Sequence, residues 1–521
     1  MEEFSLNDPT QLLEAASDFA LYPGTHNDES VKNFLQKFPL PVIISALQGN
    51  VDVPNFETTL VACLERIFNT KYGTSLIPHY MAFIQVGLQA ESNAVRCLAC
   101  KTVSRLLESD DEGSVSMALV IGHDIYQLLL GCLINGDEQV AKASTDAIKC
   151  LASTPKGMDV IFPANGDGET HLTNLAARST SVGRIRVLSL IVSLFSVSSS
   201  VASTIYKSNL LGLFEAEVRN ANDVLASLNV FELLYELSET PHGSDFLSKG
   251  TFLQLLTSTI SNTSVESILR SRAIMIVGRL FSSQNTIGVI AEPNVRSTLS
   301  VIIDRMESLE DQDTDEFETA VEALGQIGSS TGGASLLFSI SSLRGLFDAA
   351  FGRKGHGKQL ASLHALANIV GEYRTDERKM LDNNGEQKLA SVIYEIAAKS
   401  SKLTPSGLLL SILQQEPETR LAAYRLITGL VIRPWCLKEI CSKKEIISIV
   451  TDPHNESTKN GMEARFNCCV AINKALSSSN IGTDPSLAEI AGKVQEAVKR
   501  GPYLTRERIE AQPTVATEQR M

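Results

Sequence analysis

Apolar residues recur along this chain at spacings of three and four. "EQVAKASTDAIKCLA" (138–152) and "ETRLAAYRLITGL" (418–430) each place them at i, i+3, i+4 and i+7, with small or charged residues between. Such spacing draws one apolar stripe along a helix. The interleaved alanines let a neighbouring helix approach closely. The phrases end alike: an apolar residue, two others, then Leu or Ile, followed by small polar residues. The last apolar residues are Ile67, Leu106, Leu151, Leu194, Leu237, Leu280, Ile327, Ile369, Leu430 and Leu476. Successive differences are 39, 45, 43, 43, 43, 47, 42, 61 and 46. A helical period of about 40–47 is the mark of the armadillo/HEAT class. The pattern therefore predicts an all-α, superhelical α-solenoid with no β-sheet domain.

After several of these markers comes a turn and a shorter helix. Examples are Thr154-Pro155-Lys156-Gly157, Thr240-Pro241-His242-Gly243 and Ser330-Thr331-Gly332-Gly333. A further Gly (Gly166, Gly250) precedes a second apolar run such as "TFLQLLTSTI" (251–260). Short, middle and long helix make the three-helix armadillo unit. Pro241 breaks the long helix, Gly243 allows the turn, and Phe246 and Leu247 pack the short helix into the next unit. Three segments depart from the period. Residues 1–50 are helical in pattern but lack a marker and read as an N-terminal cap to a solenoid over 51–500. The 61-residue step holds an inserted helix near 402–418, confined by Pro405 and Pro417. The stretch 501–521 is polar, without periodicity, and reads as a disordered tail. "ESDDEG" (108–113) and "ESLEDQDTDEFE" (307–318) read as solvated connections.

Composition narrows the picture. Only 6% of the 521 residues are aromatic, which favours packed helices over a β-sandwich. A formal charge of −14 argues against a general nucleic-acid binder, which needs a basic surface to displace counterions from phosphates. Nine cysteines, an odd number set within helical patterns, do not suggest a disulfide framework. The first twenty residues have neither the basic nor the apolar region of a signal peptide. No apolar run reaches the length of a membrane-spanning helix. The reading is a protein of the cytoplasm or nucleus, monomeric when free, with neither membrane nor nucleic acid as partner.

Motifs for chemistry are incomplete. In "GRKGHGKQ" (352–359), Gly352, Gly357 and Lys358 meet the first part of a P-loop, but Gln359 stands where a hydroxyl should meet magnesium. The residues before it look helical, where a P-loop needs a strand. Cys97 and Cys100 form a CxxC and Cys468–Cys469 a pair, yet neither has the further ligands of a zinc site. There is no HExxH and no GxSxG. No catalytic residue, metal or cofactor is expected, and the chain is not expected to be an enzyme.

A solenoid usually works through its inner surface, lined by the long helices. With each marker in the core, the residue before it and the one four earlier share a face turned to that groove. The ladder begins with Arg66, Lys101 and Arg105, Asp146 and Cys150, and Ser189 and Ser193. It continues through Glu232 and Glu236, Met275 and Arg279, Glu322 and Gln326, His364 and Asn368, and Arg425 and Gly429. It starts basic and turns acidic, which suits a protein partner bearing both signs of charge. The importin type of peptide reader repeats Trp and Asn at these positions. Here Trp is missing and Asn occurs only at Asn368, which disfavours that reading.

A set of colinear segments carries a resemblance. They are "HGSDFLSKG" (242–250), Pro405 before "ETRLAAYRLITGLVIRPWCLKEI" (418–440) with Pro434-Trp435, "ESTKNGMEARFNCCVAINKAL" (456–476), and Gly501-Pro502-Tyr503. Their order resembles the proteasome base-assembly chaperone family, 26S proteasome non-ATPase regulatory subunit five, and is closest to a plant-type member. The chain departs from animal members in the N-terminal cap and the extreme C-terminus. The resemblance implies a non-enzymatic chaperone that binds the C-terminal domain of one proteasomal ATPase subunit. It would do so while the base of the regulatory particle assembles, blocking premature docking of the ATPase onto the core cylinder. A general armadillo scaffold for another protein partner is the alternative.

Overall fold

A computed structural model describes residues 9–503, apart from 50–52, 110–113, 164–170, 220–222, 250, 310–313, 342, 353–354, 375–379 and 479–486. Among the described residues there are helices and no strand. The chain divides into two compact units, 1–246 and 247–521.

The first unit stacks six long helices side by side in chain order. They are α1 (Pro9–Leu21), α2 (Phe56–Phe68), α3 (Asn93–Glu108), α4 (Glu138–Ala152), α5 (Ser181–Phe195) and α6 (Val224–Glu239). The markers Ile67, Leu106, Leu151, Leu194 and Leu237 are all buried, and each stabilises its unit by about 1.5–3 kcal/mol. Four of the long-helix starts repeat as well. Ser92, Asp137, Thr180 and Asp223 each accept a hydrogen bond from the backbone N–H three residues on, at Val95, Val140, Gly183 and Ala226. These N-caps satisfy donors that the first helical turn would otherwise leave open. The segment read as a cap holds α1 and two shorter helices, Asp28–Lys37 and Leu40–Gln48. Helix α1 packs along α2 just as α2 packs along α3, so residues 9–48 continue the stack.

The recurrent turn works differently from the sequence expectation. Thr70, Thr154 and Thr240 cap the short helices that follow, accepting from Gly73, Gly157 and Gly243 at 3.1, 3.1 and 3.0 Å. None of these glycines is among the positive-φ residues. A Cβ added at each would instead collide with a backbone carbonyl oxygen: that of Ile67, Leu151 and Leu237 in turn. Glycine is required because the short helix crosses the end of the long one backbone to backbone. Phe246 seats against the rings of Phe195 and Tyr206 at 5.7 and 5.5 Å, and Leu247 is fully buried. Gly166 and Gly250 lie outside the described residues.

The second unit stacks five long helices: α7 (Ser267–Ser282), α8 (Thr314–Ile327), α9 (His356–Val370), α10 (Pro417–Leu430) and α11 (Lys459–Ser478). Small residues set the spacing: a Cβ at Gly278 would meet Ala323, and one at Gly325 would meet Ala365. The helix Ala488–Arg500 packs on α11; the tail beyond Tyr503 lies outside the described residues. The 61-residue step does not hold an inserted helix. Pro405–Leu413 packs against α10 as the ordinary middle helix of its unit. The extra length lies in the connection 371–382 and in the long first helix, Asn383–Lys399. The proline pattern marked true helix starts, at Pro405 and Pro417, but not an insertion.

Buried ion pairs lock long helices together. Glu316, at the start of α8, is fully buried. It accepts from Arg270 of α7 at 2.9 and 2.6 Å and from Arg305 of the helix Glu292–Ser308 at 2.6 and 3.3 Å. Burial alone would raise its carboxyl, but the two guanidinium groups outweigh it and hold the pKa at about 2. Two further clips tie a long helix to a shorter element ahead of the next one, Glu217 lying on the helix Gly212–Arg219 and Glu456 in the connection before α11. Arg184 grips Glu217 at 2.9 and 3.0 Å, and Arg420 grips Glu456, which also accepts from the Tyr424 hydroxyl at 3.1 Å.

Gly243→Ala should destabilise the protein by about 1–3 kcal/mol, because overpacking against a carbonyl outweighs the roughly 1 kcal/mol of helix propensity that alanine gains. Gly131→Ala, which meets open space, should leave the thermal midpoint unchanged or higher. Glu316→Gln should cost about 3–5 kcal/mol by leaving buried arginine unpaired. The carboxylate's contribution to stability is present above about pH 4.5 and lost as pH falls towards 2. The acid limb of a pH–melting series should therefore be shallower in the variant.

Candidate functional site

The face of each long helix that carries the ladder is the face left by core packing. In the first unit Lys101, Arg105, Asp146 and Glu236 are exposed, and Arg66, Cys150, Ser189, Ser193 and Glu232 are half-buried. A groove of about 640 Å³ runs over α2, α3 and α4, and Lys101, Arg105, Asp146 and Cys150 all line it. The sequence reading missed its other charged walls, Glu65, Glu108, Lys142 and Lys149. Lys101 reaches back one helix to Glu65 at 2.7 Å. Arg105 donates to Asn69 of the preceding unit and to Glu108, both at 2.9 Å. These pairs are solvent-exposed and each is worth at most about 1 kcal/mol, so a partner can displace them. Glu232 and Glu236 line a second groove of about 340 Å³ between α5 and α6, with Glu239.

In the second unit Glu322 is exposed, and Arg279, Gln326, His364 and Asn368 are half-buried. Gln326 donates to Glu322 at 3.4 Å. His364, Asn368 and Arg425 come together, but in a cluster that satisfies itself. Arg425 donates to Glu372 at 2.7 Å, to the Asn368 side chain at 3.1 Å and to His364 Nδ1, and it lies over the Tyr373 ring at 5.2 Å. Its side chain is only 16% exposed. The ladder pattern expects an open arginine here and an open Gly429, which is buried against Val370. The cause is the added length after α9. It brings Glu372 and Tyr373 over Arg425, while Arg374 donates to the carbonyls of Ser329 at 3.0 Å and Ile369 at 2.9 Å. Those carbonyls lie at the ends of α8 and α9, where a cation is favoured.

The near P-loop is part of the scaffold. Lys358 is buried, donates to the Leu309 carbonyl at 2.9 Å, and lies over the Phe317 ring at 4.9 Å. Gln359 donates to the Ala350 carbonyl at 3.2 Å. The segment follows the helix Arg344–Phe351, not a strand. Cys468 and Cys469 are buried in α11, and burial pushes the Cys469 thiol up to about 11. Among the described residues no group of three or more His, Cys, Asp or Glu is placed to hold a metal ion. No single described helix is long and apolar enough to cross a membrane.

Stacked three-helix units with a charged ladder on their long helices define an all-α repeat solenoid of the armadillo/HEAT kind. The chain belongs, more narrowly, to the proteasome non-ATPase 26S subunit family, whose model matches residues 50–521. No curated protein matches the chain. Among solved structures, an engineered protein is similar at 15% identity and a TM-score of 0.38, covering 88% of this chain and 98% of its own. Another comes from work on a phosphorylation switch controlling the interaction between cadherin and beta-catenin. It is similar at 14% identity and a TM-score of 0.37, covering 95% of this chain and 97% of its own.

The Arg425 cluster carries a pH signature. Burial, and then the charge of Arg425, lowers the His364 pKa to about 4. The folded state thus keeps a neutral imidazole where an unfolded chain, at about 6.5, would take a proton. Stability should fall as pH drops from about 6.5 to 4. His364→Gln, which cannot titrate, should lose that part of the slope in denaturant midpoints measured between pH 7 and 4.

Proposed function

We propose that this protein is an assembly chaperone for the base of the 26S proteasome regulatory particle. It binds the C-terminal domain of one proteasomal ATPase subunit through the ladder on its long helices. The observation that carries the reading is the family match over 50–521, in a chain whose long helices present charges of both signs. Exposed pairs such as Lys101–Glu65 can exchange partners at little cost, which suits an escort that must later leave. The ladder occupies the ATPase surface that would otherwise dock on the core cylinder, so the role is steric and non-enzymatic. The free protein is a monomer of the cytoplasm or nucleus, needs no cofactor, and binds neither nucleic acid nor membrane.

Affinity purification from cell extract, read by mass spectrometry, tests this. Proteasomal ATPases should be recovered stoichiometrically and without core-particle subunits. Recovery should fall at least tenfold for Lys101→Glu/Arg105→Glu, with helical content and melting unchanged. Stoichiometric recovery of unrelated proteins instead would make the chain a general scaffold.

A further inference from the structure

Three long helices carry an exposed apolar residue at the equivalent place near their starts, one of them Ile268 of α7, 49% exposed. Val182 of α5 is 62% exposed and Leu225 of α6 is 72% exposed, each twelve residues before its marker. Val182 and Leu225 lie one turn before Ile185 and Asn229, which line the groove between α5 and α6, so helical spacing puts them in line with its lining. Down α6, Leu225, Asn229, Glu232, Glu236 and Glu239 follow at spacings of four, three, four and three, so they share one face. Leu225 and Glu236 are about 16 Å apart along the axis. Opposite them on α5 stand Ile185 and the small Ser189. The lining holds three carboxylates and no basic residue. Glu232 and Glu239 also have partners within the chain; what matters is the sign of the lining as a whole.

We propose that this groove is a docking site for an amphipathic helical segment of a protein partner, apolar at one end and basic at the other. Two apolar side chains cover Val182, Ile185 and Leu225, and Lys or Arg two to three turns away meet Glu232, Glu236 and Glu239. An apolar helix face laid in a groove supplies affinity, and the charge gradient supplies register. The inference rests on the reading that the ladder is the partner surface, and it adds the chemistry of the segment that this part of the ladder takes.

A fluorescein-labelled 16-residue peptide, with Leu at positions 2 and 6 and Lys at 9, 13 and 16, is titrated into the full chain by anisotropy at low and high salt. Glu232→Gln/Glu236→Gln/Glu239→Gln should weaken binding at least tenfold and remove its salt dependence. Val182→Ser/Leu225→Ser should weaken it about as much and keep the salt dependence. Glu489→Gln/Glu496→Gln, on a helix outside the unit, should change nothing, and a peptide with Glu for Lys should not bind. Circular dichroism confirms that each variant is folded. The proposal is overturned if the triple Gln variant binds like the wild type, if the Glu peptide binds equally, or if the wild type does not bind at millimolar peptide. The affinity purification separates the two readings. ATPases recovered equally by wild type and triple variant leave the chaperone reading standing and sink this one. Peptide binding that depends on the three carboxylates, without ATPase recovery, does the reverse.

Discussion

Where the short helix beginning at Pro241 crosses the end of α6, the Leu237 carbonyl takes the space in which a side chain at 243 would start. The same approach recurs at Gly73, Gly157 and Gly333. A hydroxyl cap fixes the first turn of each short helix, at Thr70, Thr154, Thr240 and Ser330. The direction in which the chain leaves α2, α4, α6 and α8 is therefore set by backbone contact. From this junction come the burial of the markers and the alignment of the long-helix faces that carry charge.

Arginine completes the alignment. Arg184, Arg270 and Arg420 each lie ten residues before a marker and grip a buried glutamate supplied by the next unit. A stack shifted by one turn would strand that glutamate in the core, at a cost larger than any surface contact could offset. Other arginines close helix ends. Arg186 donates to the Leu133, Ile134 and Gly136 carbonyls, and Arg433 to those of Val370 and Gly429. With charge spent this way inside the stack, the ladder side chains that stay exposed are those the core does not need.

Fold class was legible because the apolar period is long-range and redundant; ten markers predict the stack, and all are buried. The role of the glycines was not, since a missing Cβ reads alike whether the reason is a turn or a collision. Pro405 misled because it marks a helix start without saying which helix of the unit begins there. The ladder positions were legible as a face, and Lys101, Arg105 and Asp146 do line one groove. Arg425 was not, because Glu372 and Tyr373 reach it from a connection that has no counterpart in other repeats. The arginine clips were within reach of the sequence: the same offset of ten recurs at Arg184, Arg270 and Arg420.

Seven of the nine cysteines are buried, and burial pushes thiols such as Cys63 and Cys436 up to about 12. The two that are partly exposed, Cys97 and Cys150, both line the groove over α2, α3 and α4. The chain therefore carries its own reporter of occupancy. An alkylating reagent applied to the native protein marks this one surface, and whatever settles there shields it, so footprinting needs no engineered label.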